Sequence, residues 1–159
     1  MNTIKNVLVY GAGLMGKNIA FVVSSIEDYE ITVFDINPVK LHDELRESTK
    51  QLVREGVLTQ EEVNRRLGRI SFVQKLIPDF LKKVDLVIEA VFEKLELKRE
   101  IFGFLEKHCR TDCVFCTNTS AMSPTEISSE LNHRSRFIGT HFWNPADRKS
   151  TRLNSSHIT

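Results

Sequence analysis

The residues able to do chemistry here are three glycines, an acid, a serine and a histidine. Gly11, Gly13 and Gly16 stand in the run GAGLMG, with Leu14 and Met15 between the last two, in the spacing G-x-G-x-x-G. In that spacing the first glycine permits a tight turn, the second lets the backbone approach a pyrophosphate, and the third lets a helix pack closely on a strand. The N–H groups and positive dipole end of a helix starting there would hold the phosphates. Asp35 lies 19 residues beyond Gly16, at the end of the run EITVFD. A carboxylate at that point would accept hydrogen bonds from adenosine ribose hydroxyls and repel a 2′-phosphate, and no arginine directly follows it. The expected cofactor is therefore NAD rather than NADP.

A glycine pattern by itself is weak, because short glycine runs arise by chance. What strengthens it is the set of elements that must position it. NVLVYGAG is a short apolar, β-branched run ending in glycines, as expected of a buried parallel strand. LMGKNIAFVVSSI has helical apolar spacing and EITVFD is a second strand. Asn37 offers a helix cap with Pro38 at the first helical position, predicting a helix from there to Gly56. Thr59 and Glu62 form a capping box that opens a further helix, QEEVNRRLG. ISFVQ then reads as a strand, IPDFLKK as a short helix and VDLVIEAV as a strand. LELKREIFGFLEKHC is an amphipathic helix with Leu97, Ile101, Phe104 and Leu105 on its apolar face. The strand CVFCTNTS follows, then a helix capped by Ser123 with Pro124 and Glu126, and a last strand in RFIGTHFWNP. This alternation predicts an α/β domain of the Rossmann type: a doubly wound, mostly parallel sheet with a helical hairpin inserted across residues 40–69.

Composition narrows the partners. The chain has 159 residues, enough for one good core, and its 22 basic and 21 acidic side chains leave a formal net charge of +1. That balance supplies no electrostatic reason to expect nucleic acid or an anionic membrane. No apolar run reaches the roughly 18–20 residues that span a bilayer, and the N-terminal apolar run is too short for a secretory signal. The expected address is the cytoplasm. Cys109, Cys113 and Cys116 lack the second ligand pair that a closed zinc site needs, so no metal is expected; CVFC reads as buried strand in a reducing compartment. The acceptor pattern NTS at Asn118 has no secretory context. His42, His108 and His133 fall on polar stretches and read as solvated, and Trp143 reads as packing.

With GAGLMG, DLVIEAVFEKLELK, TNTS and GTHFWNP in order, residues 4 to about 146 resemble the NAD-binding domain of the L-3-hydroxyacyl-CoA dehydrogenases. The resemblance implies oxidation of a (3S)-3-hydroxyacyl-CoA to the 3-ketoacyl-CoA, in fatty acid or butanoate metabolism. It implies His141 as catalytic base and Ser120 as a donor to the substrate oxygen that also approaches the nicotinamide ribose. Asn144, Glu93 and Lys98 would contact the cofactor, and Ala90 and Val91 would line it. In the family a helical domain follows, completes the substrate site and forms a homodimer. The chemistry agrees: oxidising an alcohol by hydride transfer needs a base for the hydroxyl proton, and histidine titrates near neutral pH.

Two positions depart from the family pattern. Ala121 stands where a second serine is common, and Trp143 where phenylalanine is common. Both occur in a related branch, the gulonate dehydrogenase and λ-crystallin group, so a dehydrogenase of a free hydroxyacid is the alternative. A non-catalytic dinucleotide-binding protein is a third reading, opposed by the presence of both Ser120 and His141. The family's glutamate partner of the histidine, about a dozen residues further on, has no counterpart in residues 147–159. That stretch, DRKSTRLNSSHIT, matches a reading frame of a sequencing-library adapter followed by a sample index, and is read as foreign to the gene. The chain is thus expected to lack the helical domain, to bind NAD weakly and to turn over little.

Overall fold

The computed structural model describes residues 3–142. The adapter-like residues 147–159, and Trp143 and Asn144, lie outside the described residues.

Strand β1 (Asn6–Tyr10) leads through the glycine turn into helix α1 (Leu14–Val23), and β2 (Glu30–Phe34) follows. Helices α2 (Leu41–Arg54) and α3 (Gln60–Leu67) form the hairpin before β3 (Ile70–Val73). Then come α4 (Pro78–Leu81), β4 (Leu86–Glu89), α5 (Leu95–His108) and β5 (Val114–Thr117). The short α6 (Pro124–Ile127) and β6 (Phe137–Gly139) complete the described chain. The six strands form one sheet in the order β3-β2-β1-β4-β5-β6. Every pairing in it is parallel, so the expected mostly parallel sheet is wholly parallel among the described residues. The order reverses between β1 and β4, which opens a crevice outside their carboxyl ends.

Alternation along each strand sends side chains to two cores. Val7, Val9, Ile31 and Val33 pack on one face under α1 and the hairpin, against Ile19, Leu45, Val63 and Leu67. Leu8, Val87 and Phe115 point to the other face, against Phe102, Leu105 and Ile127 of α5 and α6. Both faces are covered, which is why the strands read as apolar runs with no polar side.

Three helices differ from expectation, each for a local reason. α2 begins at Leu41 and not at Pro38. The expected cap residue, Asn37, is engaged elsewhere: its backbone N–H and its side-chain amide both donate to Asp35 Oδ1, at 2.9 and 3.3 Å. At its other end the helix closes as expected around Gly56, with Val57 N–H bonded to the Leu52 carbonyl and Gly56 N–H to that of Val53. α6 is only four residues long and Ser123 makes no side-chain cap bond. Arg99 of α5 occupies the Glu126 carbonyl with two N–H groups, and the chain tightens into a 3₁₀ turn at Ser128–Glu130. On α5 the buried stripe is Lys98, Ile101, Phe102 and Leu105. Leu97 and Phe104, expected on the same apolar face, line the crevice together with Ile101. Thr59 caps α3 as its spacing predicted, accepting the Glu62 N–H at 3.1 Å. His42 is tied down and not merely solvated, its Nε2 lying 2.8 Å from the Ile70 carbonyl oxygen.

Candidate active site: a dinucleotide crevice

The crevice at the strand-order reversal encloses about 1220 Å³. Its first wall is the glycine turn. Gly11 has φ +109°, and a Cβ there would come within 2.7 Å of the Ala90 carbonyl oxygen. A Cβ on Gly16 would lie 1.9 Å from the Gly11 carbonyl oxygen, so α1 can approach β1 this closely only without one. Gly16 therefore acts by packing and does not itself line the crevice. Gly13, Leu14 and Met15 do line it. In front of Gly13 there is open space, and α1 has no side-chain cap on its first turn. Uncapped N–H groups at the end of a ten-residue helix, beside the glycine turn, fit a pyrophosphate.

Asp35 sits at the tip of β2 and joins this turn: its Oδ2 accepts the Ala12 N–H at 2.8 Å. The acid expected to hold the adenosine ribose thus also braces the glycine loop. Tyr10 and Phe34 form the floor at this end, their rings 4.7 Å apart. Burial, and then the charges of Glu100 and Asp35, push the Tyr10 phenol above its ordinary range. Neither Tyr10 nor Glu100 was singled out from sequence; the available signal was a phenol immediately before the first glycine of the turn.

The opposite end is built by β4, β5 and the segment after β6. Ala90, Val91 and Glu93 line it from β4, Asn118 and Ser120 from β5, and His141 from beyond β6. The last of these is held by two bonds on either side of it. Thr140 N–H donates to the Thr117 carbonyl at 2.9 Å, and Phe142 N–H to Asn118 Oδ1 at 2.8 Å. Asn118, passed over as a chance glycosylation pattern, is therefore a brace for the histidine segment.

Glu93 gathers the loop after β5. Its Oε1 accepts the Thr119 hydroxyl and the backbone N–H groups of Ser120 and Ala121, the last two at 2.7 and 3.2 Å. Its Oε2 lies 3.0 Å from Lys98 Nζ. Burial raises its carboxyl, but these four donors outweigh burial and hold it down at about 2.

The Lys98 side chain is 0% exposed and lies behind the crevice wall. It turns inward to Glu89, meeting Oε1 at 2.7 Å and Oε2 at 2.9 Å. Glu89, equally buried, also accepts the Thr117 hydroxyl at 2.6 Å and the Val91 N–H at 2.7 Å. Sequence reasoning missed Glu89 and Thr117, although an acid inside DLVIEAV and a lysine on the apolar face of α5 were a matched pair of anomalies.

Among the described residues no group of three or more His, Cys, Asp or Glu side chains could hold a metal. Cys109, Cys113 and Cys116 are free thiols, and burial pushes Cys116 up to about 12, far from a thiolate ligand.

A wholly parallel sheet in this order, with an open glycine turn at the switch point and an acid at the tip of the next strand, defines a dinucleotide-binding Rossmann domain. Comparison narrows the class. The family description "3-hydroxyacyl-CoA dehydrogenase, NAD binding domain" matches residues 6–150. A probable 3-hydroxybutyryl-CoA dehydrogenase of Bacillus subtilis is 37% identical over 145 residues, 89% of this chain and 50% of that protein. The glyoxysomal fatty acid beta-oxidation multifunctional protein MFP-a of Cucumis sativus is 36% identical over 146 residues, 90% of this chain and 20% of that protein. The crystal structure of 3-hydroxybutyryl-CoA dehydrogenase from Escherichia coli superposes with a TM-score of 0.81 at 35% identity, over 91% of this chain and 31% of that one. The chain belongs to the NAD-binding domain family of the 3-hydroxyacyl-CoA dehydrogenases, and its cofactor is NAD. It spans between a fifth and a half of the length of these relatives.

Proposed function

We propose that this domain serves an enzyme that oxidises a (3S)-3-hydroxyacyl-CoA to the 3-ketoacyl-CoA. The observation that carries the reading is that Ser120 and His141 line the same crevice as the glycine turn. NAD held in this crevice would supply the acceptor for the hydride of the carbinol carbon. His141 takes the hydroxyl proton, Ser120 donates to the substrate oxygen, and Glu93 receives the ribose at this end of the crevice. Gly11, Gly13, Leu14, Met15 and Gly16 form and shape the phosphate cradle, Asp35 takes the adenosine ribose, and Ala90 and Val91 form the wall between them. Asn144, outside the described residues, is proposed as a further cofactor contact. The thioester substrate is supported by the relatives, whose names specify hydroxybutyryl-CoA, above the free hydroxyacid suggested by Ala121 and Trp143.

The glutamate partner of His141, the helical domain and the homodimer it forms are proposed to belong to the natural continuation of the gene, with residues 147–159 as translated adapter. Sequencing the source DNA across the Ala146 and Asp147 codons tests this: a frame continuing into an acid and a helical domain supports it, and an encoded stop after Thr159 overturns it. No helix among the described residues is long and apolar enough to cross a membrane; the cytoplasm is the proposed address, and a tagged protein enclosed in an organelle would refute it. For activity, the continued protein is assayed with NAD and 3-hydroxybutyryl-CoA, beside His141→Ala. Turnover lost in the variant with NAD binding kept is the expected result, and unchanged turnover would overturn the role of His141.

A further inference from the structure

Beneath the Ser120 end of the crevice lies a buried cluster whose charge can be counted from its hydrogen bonds. Glu89 is surrounded only by donors: Lys98 Nζ on both oxygens, the Val91 N–H and the Thr117 hydroxyl. The Val91 N–H and the Lys98 ammonium can only donate, they engage both carboxyl oxygens, and the Thr117 hydroxyl donates as well, so Glu89 is held as a carboxylate. Glu93 likewise meets only donors: Thr119, Ser120 and Ala121 at Oε1 and Lys98 at Oε2. Lys98 Nζ meets three carboxylate oxygens, which is the full complement of an ammonium group. Two carboxylates and one ammonium leave one negative charge.

Its position in the fold gives that charge a target. Sheet order runs β2, β1, β4, β5, with Asp35 at the tip of β2, the phosphate cradle after β1, and the cluster at the tips of β4 and β5. A dinucleotide with its adenosine at Asp35 and its pyrophosphate on the cradle brings its nicotinamide to the cluster. The other charged side chains on the crevice wall apart from His141, namely Asp35, Lys75 and Glu100, stand with the turns after β2 and β3 and on α5 beside Leu97 and Phe104. Glu93, 34% exposed, is where the buried charge reaches the crevice.

The oxidised nicotinamide ring carries one positive charge and the reduced ring none. We propose that the Glu89–Lys98–Glu93 triad is a charge selector, whose single uncompensated negative charge favours the oxidised cofactor over the reduced one. Burying a carboxylate and a lysine, with a second carboxylate partly covered beside them, is no route to stability, since an apolar replacement packs as well or better. A charge held at low dielectric beside a ring that changes charge during the reaction gives such a cluster a use. Within it Glu89 is a positioning residue: it touches no ligand, fixes Lys98, and sets the sum of charge.

This inference rests on the NAD reading above, and the test separates the two. The full chain and its Glu89→Gln, Glu93→Gln and Thr119→Val variants are titrated with NAD⁺ and with NADH, following binding by calorimetry and by NADH fluorescence. Neutralising either acid is expected to weaken NAD⁺ about tenfold more than NADH, the size expected of one charge a few ångströms away in a half-exposed crevice. Thr119→Val removes a donor and no charge, and is expected to change both constants equally. Equal weakening of both forms in the two acid variants would reduce the triad to a structural role and overturn the selector, leaving NAD binding intact. Should Glu89→Gln fail to fold, Glu93→Gln decides by the same ratio. Failure of the unaltered chain to bind either form would overturn the NAD reading, and the selector with it.

Discussion

The two ends of the crevice are built on different principles. At the adenosine end the working groups are backbone N–H donors and one carboxylate, drawn from a single strand-turn-helix-strand stretch between Gly11 and Asp35. At the end proposed for the nicotinamide they are side chains brought from three strands and a helix, braced by Glu89 and Lys98, which have no access to water, and by Glu93, which reaches the crevice. A phosphate can be bound by any backbone that presents its N–H groups, so the first end needs only space, and glycine supplies it. A reacting carbon needs particular atoms at particular places, so the second end needs a network.

The contrast can be broken most forcefully at Lys98. Lys98→Met leaves Glu89 and Glu93 without their cation, and is expected to cost about 4 kcal/mol of stability, as breaking a buried pair does. Urea denaturation checks it, and a loss below about 1 kcal/mol would mean the network is not what holds this end. Gly16→Ala attacks the other end by sterics alone, forcing a methyl against the Gly11 carbonyl at 1.9 Å. A loss of about 3 kcal/mol is expected, with NAD affinity falling about a hundredfold as α1 is displaced from β1, readable by calorimetry. Asp35→Ala removes both the ribose acceptor and the brace on Ala12, and is expected to weaken NAD about tenfold while narrowing its advantage over NADP. Parallel titrations with the two cofactors measure this.

The smallest effect sharpens the comparison by pH. Glu93 has its carboxyl lowered from 4.5 to about 2, so its contribution to stability is present in full above the unfolded value and is lost as pH falls towards the folded one. Acid unfolding between about pH 4.5 and 2 is therefore expected to be shallower in Glu93→Gln than in the unaltered chain. Matching acid curves would mean the clamp on the Ser120 loop contributes nothing to folding.

The difference between the ends also governs what was legible before the structure. The glycine spacing and Asp35 lie close in sequence, and their demands are steric, so they show as residue types at fixed intervals. The strands showed equally well, because a sheet covered on both faces leaves apolar runs with few alternatives. Ser120 and His141 were legible only through resemblance to a family; nothing in their own spacing brings them to one crevice. The pairing of Lys98 with Glu89 was illegible for a physical reason. Helical periodicity tells which residues share a face but not whether that face meets solvent, core or a buried acid on another strand. The same limit hid that Leu97 and Phe104, on the apolar face, line the crevice.

By itself, then, the sequence determined the order and kind of the elements, the phosphate cradle and the acid on β2, all products of local sterics and binary pattern. The tertiary structure decided which side chains meet across elements. Asn37 turns to Asp35 and leaves its helix uncapped, Arg99 cuts α6 short, and Glu89 pairs with Lys98 across two elements. Each of these outcomes depends on a partner from another element of the fold or from the loop beside it, and hydrogen bonds and charges in a low-dielectric interior are settled by such meetings.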